Sequence, residues 1–320
     1  MYGDDEATGM SLALLDHWVP MSLLAAAAWA LSCVIDVCFV SNGVYRRAGD
    51  GVAIAGLFCA IPAFATVRSV EWGSIAPELA LVGVLSGVAF LLHVYFYFRA
   101  LFSLNDAVNA EIFNTLSVLV IPLLAFFFLG ERLAWPNYAA IGIAAMGICV
   151  LIGLQARQLP ARAVVYLAAS VLGVSTMMVM QAWVLESASY ATAVWLFSTS
   201  ATALVFAGIA VSPPRRRRIA GLWRRFGALF VAVQVLELAG VLGSQRATDL
   251  GPSVSLVAVL ECTLPVFVIL FSWLLLRCAG LLASAGAERT LAALSRQSRA
   301  APSKLASMLL IVGAVFLAHA

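Results

Sequence analysis

Two apolar runs joined by one short charged turn constrain this chain more than any other feature. The first, residues 107–129, reads AVNAEIFNTLSVLVIPLLAFFFL, and the second, residues 135–153, reads WPNYAAIGIAAMGICVLIG. Each is long enough to cross a hydrocarbon core of roughly 30 Å as a helix. So few residues separate them that the two helices must be antiparallel neighbours. A bilayer offers no partners to backbone N–H and C=O groups, so spanning segments are helices or closed barrels. Unbroken apolar runs lack the alternation of a barrel strand. One feature departs from the apolar rule: Glu111 and Asn114 share a face of the first run, and Thr115 and Ser117 extend that strip. Polar groups at such depth point into a bundle or a cavity.

The rest of the chain has the same character. Of 320 residues, 63% are apolar and 11% are charged, where a soluble domain has roughly 25% charged residues. Mean hydropathy is +1.01. The sequence predicts an all-α polytopic membrane protein without a separate soluble domain. Apolar windows place ten spans at residues 18–40, 51–67, 78–98, 107–129, 135–153, 163–185, 191–211, 226–245, 253–276 and 304–319. A short acidic tail (1–17) without a basic segment precedes them, which argues against a cleaved signal peptide. Cys33, Cys38, Cys59, Cys149, Cys262 and Cys278 lie in or beside apolar runs without CxxC spacing, and read as packing residues.

Ten spans divide into five and five. A shift of 147 residues sets Arg99-Ala100 on Arg246-Ala247, and Asn114 on Glu261. Residues 18–154 thus read as a first five-helix repeat, 155–162 as a linker, and 163–320 as a second repeat carrying an insertion at about 279–303. An odd number of spans per repeat inverts one repeat relative to the other, as in many secondary transporters with a substrate site near the midplane. Of the 19 basic residues, 16 fall in odd-numbered loops and three in even ones. The positive-inside rule then puts odd loops in the cytoplasm and both termini outside. The run Arg215, Arg216, Arg217, Arg218 reads as a topology signal and a contact for anionic lipid head groups, and its loop is too short to imply nucleic-acid binding.

At Gly130-Glu131-Arg132-Leu133 the sequence resembles the drug/metabolite transporter superfamily, in particular ten-helix proteins with two EamA-type repeats. The stretch VLVIPLLAFFFLGERLAWPNYAAIGIAAMGICVLIG, with Gly142 and Gly147, is similar to the fourth and fifth helices of that family; SVSLVAVLECTLPVFVILFSWLLL, with Pro265 inside it, is similar to the ninth. The second repeat departs from the pattern, with Arg277-Cys278 where the hairpin Gly-Glu stands in the first. The orientation also departs, since familiar members have cytoplasmic termini. The resemblance implies a secondary transporter of a small metabolite or drug-like solute, working by alternating access without a cofactor, with a proton as one candidate coupling ion. It further implies a bacterial inner-membrane location and a monomer or homodimer. A non-transporting assembly protein and an intramembrane enzyme are the competing readings; the enzyme is disfavoured by the presence of only three histidines.

The candidate site residues are Glu261, Asn114, Glu237, Glu111, Gln234, Asp36 and His93. A carboxyl group enclosed in a bundle can exchange a proton as access alternates, or bind a cationic solute. Glu261 lies four residues before Pro265 and matches Asn114 under the repeat shift. Its bland reading is a structural acid hydrogen-bonded across a helix interface. Gln234 and Glu237 share a face of span eight, with Gly240 and Gly243 turned toward a neighbouring helix. Glu111 has snorkelling as its alternative, and Asp36 lies within two turns of the interface. His93 is followed by Tyr95 and Tyr97, and a lone histidine there is also readily satisfied by a hydroxyl or backbone partner. Gln181, Trp183 and Trp29 are further possible lining residues. Arg99 and Arg246 read as interfacial anchors, and the Glu131-Arg132 turn as structural.

Overall fold

The structure is a computed structural model describing residues 16–104, 106–155, 159–281, 292, 294–295, 309–315 and 317. The readings that fall on the first 15 residues, on 156–158 in the linker and on most of 282–308 lie outside the described residues; of the tenth expected span, 309–315 and 317 are described, as helix. Among the described residues there is no strand, and nine helices are long and apolar enough to cross a membrane. The chain is therefore a polytopic helical membrane protein.

In order the helices are α1 (Trp18–Ser41), α2 (Ala48–Phe58), α3 (Ala60–Thr66), α4 (Pro77–Leu104), α5 (Ala107–Asn114), α6 (Ser117–Phe128), α7 (Trp135–Gln155), α8 (Ala161–Leu185), α9 (Tyr190–Ala210), α10 (Pro213–Leu250), α11 (Val254–Glu261) and α12 (Leu264–Leu281). Three expected spans are thus broken: α2/α3 near Pro62, α5/α6 at Thr115-Leu116, and α11/α12 at Cys262-Thr263. At the third break, Pro265 supplies no N–H to the Glu261 carbonyl. Both of the later breaks are tightened by bonds reaching back three residues, Val118 N–H to Thr115 O (3.1 Å) and Val266 N–H to Thr263 O (2.9 Å). The Thr115 and Thr263 hydroxyls each bond a carbonyl three residues earlier at 2.7 Å, a pattern that bends helices.

The short helices before these breaks begin alike. Asp106 accepts from the Asn109 N–H (3.2 Å) and Ser253 from the Leu256 N–H (3.1 Å), side-chain caps 147 residues apart. The breaks also meet, for the Cys262 thiol lies 3.8 Å from the Thr115 carbonyl, again 147 residues away. The most extensive helix pairings are α4 with α8 and α1 with α10. In the span numbering expected from the sequence these are spans three with six and one with eight, so exchanging expected counterparts five apart converts one pairing into the other.

Without a hydrophobic drive between helices in lipid, close approach of small residues holds such pairs together. A Cβ on Gly87 of α4 would stand 2.0 Å from Ser200 Oγ and 2.7 Å from the Phe197 carbonyl of α9. Gly240 and Gly243 of α10 face α1, where a Cβ on Gly240 would come within 2.5 Å of the Trp29 ring. Phe64, Phe127, Phe128 and Val165 stay largely exposed on the outside of the bundle. The hairpin glycine Gly130 takes φ +67°, the left-handed turn that closes α6.

One expectation is corrected. The arginine run 215–218 is the opening of α10, not a loop, and the helix starts 13 residues before the expected boundary at 226. Pro213 and Pro214 occupy the first helical positions, where a missing N–H costs nothing. Arg, Ala and Leu favour helix, and Ile219 and Phe230 bury one face. At 38 residues, α10 is about 57 Å long, well beyond a core of roughly 30 Å, so it is long enough for its arginine-bearing turns to extend past such a core.

Candidate functional site

The broken helices place backbone bends and polar side chains at the middle of the bundle. α1 contributes Trp29, Cys33 and Asp36, spaced four and three residues apart on one face. α4 adds His93, Tyr97 and Phe98; the α5/α6 break adds Glu111, Asn114, Thr115 and Ser117. From the other half of the chain come Met178 of α8, Gln234 and Glu237 of α10, and Glu261 and Cys262 at the α11/α12 break. All line one cavity. The space between them is about 800 Å3 including the part that opens outward, and its enclosed part is narrow. The narrow part holds a few waters, so a whole metabolite enters only if the walls part.

The seven residues singled out in the sequence, Asp36, His93, Glu111, Asn114, Gln234, Glu237 and Glu261, therefore converge on a single cavity. Asp36, Glu111, Asn114, Gln234 and Glu261 are all buried. Glu111 accepts from the Cys33 thiol at 3.1 Å and lies 3.5 Å from the Asn114 amide nitrogen. Glu237 accepts from the Ser32 hydroxyl at 3.0 Å. His93 Nδ1 is held by the Ser170 hydroxyl (2.9 Å) and lies 3.0 Å from its carbonyl. This is the hydroxyl-and-backbone partnership open to a lone histidine.

Other polar atoms have no protein partner. Asp36 Oδ1, Asn114 Oδ1, Gln234 Oε1 and Glu261 Oε1 are buried and accept no hydrogen bond from the chain. A buried acceptor left in this condition costs about 1–3 kcal/mol. The lining holds four carboxyl groups and neither lysine nor arginine. Chemically the site is an acceptor-rich, acidic chamber suited to protons, cations or solutes rich in N–H and O–H groups. Among the described residues, no three His, Cys, Asp or Glu side chains are grouped to hold a metal ion.

Some residues that line or brace the chamber escaped sequence reasoning. Ser32 and Cys33 orient two of the acids, and their only signal was their position one turn before Asp36; Cys33 thus does more than fill space. Met178 looks like any core methionine. Gln181, offered as lining, instead donates to Ser86. Arg99 lies over the Tyr166 ring (4.8 Å) and Arg246 over that of Tyr190 (5.6 Å). Glu131 of the hairpin accepts from the Ser255 hydroxyl at 2.9 Å, tying the turn to the first turn of α11, as a structural role requires.

Comparison with known proteins bears on the fold. No protein-family model and no curated protein matches the chain. Among solved structures 24 chains match it. One, described only as the crystal structure of a protein, superposes with a TM-score of 0.57 at 20% identity, covering 93% of this chain and 96% of its own. The arrangement of helices is therefore one already seen in an experimental structure, nearly end to end.

Proposed function

We propose that the chain is a secondary transporter of the drug/metabolite transporter superfamily, built from two inverted EamA-type repeats of five helices, which moves a small solute by alternating access. The observation that carries this reading is the convergence of seven polar side chains from both halves of the chain on one cavity beside two helix breaks. A transporter needs such a site near the midplane, formed by discontinuous helices at the repeat interface. The inverted-repeat reading is supported by the breaks and caps 147 residues apart, by the thiol–carbonyl contact between them and by the exchange of helix pairings.

Four carboxyls with no neighbouring cation favour a solute that presents positive charge or several donors, with protons as the coupling ion. Glu261 and Asp36 carry the coupling in this reading, because each keeps an oxygen without a protein partner. The reading assigns no catalytic role to the residues that line the chamber. In this reading the protein sits in a bacterial inner membrane with its arginine-bearing end in the cytoplasm and both termini outside, an orientation the positive-inside count supports. Uptake by proteoliposomes over a panel of amino acids, nucleosides and cationic drugs, with and without a pH gradient, tests the proposal. At least one solute should move above the leak of empty liposomes, faster with the gradient. If none moves, the transport reading fails.

A further inference from the structure

A second cavity lies at the arginine-bearing end of the bundle, beyond the acidic chamber. α4 links the two, with His93, Tyr97 and Phe98 lining the inner one and Tyr95 and Arg99 the outer. The outer cavity is wide, about 1560 Å3 including its mouth. Among the described residues, Arg46, Arg47, Arg99, Arg162, Arg215 and Arg218 line it, and no carboxylate does.

Three of these guanidinium groups, on Arg99, Arg215 and Arg218, are held in place. Arg99 donates to the Tyr166 hydroxyl and lies over its ring. The Arg215 guanidinium threads between α2 and α9: a Cβ on Gly49 would stand 3.1 Å from its Nη2, and a Cβ on Gly208 would stand 3.0 Å from its Nη1. Asp50, 1% exposed, pairs with Arg218 Nε at 3.0 Å from behind and accepts from the Arg46 and Arg47 N–H groups, fixing the turn that presents both arginines. One carboxylate thus organises the wall, leaving a large excess of positive charge facing the same space. Like charges gathered in a concave wall repel one another, and their field is relieved by a multivalent anion. Guanidinium forks match phosphate oxygens two at a time.

We propose that this vestibule is a binding site for a phosphate-bearing anion, either a free phosphorylated solute or the head group of an anionic lipid. The site stands on its own geometry, whether or not its ligand is then carried through the bundle. Next to Arg46, an aromatic cluster packs inside the bundle, and its Phe98 lines the acidic chamber. Tyr45 stacks on Phe230 (ring centroids 5.7 Å) and meets Phe98 edge-on (5.2 Å), while Tyr45 itself is 1% exposed.

The test is binding to the full-length protein in a neutral detergent, stripped of lipid. Inorganic pyrophosphate is titrated by calorimetry, and retention of phosphatidylglycerol is followed by native mass spectrometry. Arg99→Gln and Arg162→Gln each remove one exposed guanidinium, and Arg224→Gln/Arg225→Gln is the control, removing two charges from α10 outside the cavity. Saturable pyrophosphate binding weakened about tenfold by either single variant, but not by the control, identifies a free phosphate ligand. Lipid retention with the same variant pattern, and no pyrophosphate binding, identifies the head group. The proposal is overturned if neither probe binds saturably, or if the control weakens binding as much as the vestibule variants.

Discussion

Single side chains in this protein divide by what surrounds their polar atoms. Glu111 and Glu237 have thiol and hydroxyl donors, whereas Glu261 and Asp36 each keep a buried oxygen with no protein partner. Glu261→Gln removes the proton site while keeping the shape. Uptake driven by a pH gradient should fall about tenfold or more, as expected for loss of a charged hydrogen-bonding group worth about 1.5–3 kcal/mol, while exchange without a gradient survives. Unchanged gradient-driven uptake would remove Glu261 from the coupling. Gly87→Ala tests packing instead. Its Cβ would meet Ser200 Oγ at 2.0 Å and the Phe197 carbonyl at 2.7 Å, and backbone cannot give way cheaply. A loss of about 1–3 kcal/mol, read as a lower melting temperature in detergent, is the expected result. The acids, amides and histidine were legible in the sequence because a polar atom stands out in an apolar run. Ser32, Cys33 and Met178 were not, because small and apolar residue types look alike whether they fill space or face a cavity.

Among the helices, the breaks and the long α10 decide what the site can do. Pro265 deprives the Glu261 carbonyl of its helical partner, so Pro265→Ala offers to make α11 and α12 continuous. Thermal stability should rise and the transport rate should fall several-fold; an unchanged rate would show that this bend is static. At the other end, Asp50 holds both Arg218 and the turn before α2. Asp50→Ala should cost about 1–3 kcal/mol, since a buried partner is lost but Arg218 is 31% exposed and partly solvated; the melting temperature checks it. The break at Cys262-Thr263 was legible through Pro265. The matching one at Thr115-Leu116 was not, because Pro122 lies a full turn further on. The extension of α10 was hidden for a different reason: consecutive arginines read as a solvated loop, and only the burial of Ile219 and Phe230 shows the helical face beneath them.

For the molecule as a whole, the charges sort along the bundle. Arginines line the vestibule at one end, carboxyls line the chamber in the middle, and a third cleft carries Glu131, Glu186 and Asp249. The helical membrane class and most span boundaries were legible, because hydrocarbon length and backbone hydrogen bonding leave few alternatives. The vestibule was not, since its arginines come from four separate stretches of chain that only folding brings together. The charge asymmetry predicts orientation: a cysteine at Arg216 in a cysteine-free background should react with an impermeant thiol reagent only from the cytoplasmic side. Labelling from outside intact cells would reverse the topology. The central claim, that the chamber between the two halves is a carrier site with alternating access, is tested most directly by counterflow in proteoliposomes preloaded with an unlabelled solute from the panel. The account predicts that labelled solute transiently accumulates above its equilibrium level, and that Asn114→Leu, which crowds the chamber, abolishes the overshoot. Simple equilibration without overshoot, or an overshoot untouched by Asn114→Leu, would contradict it.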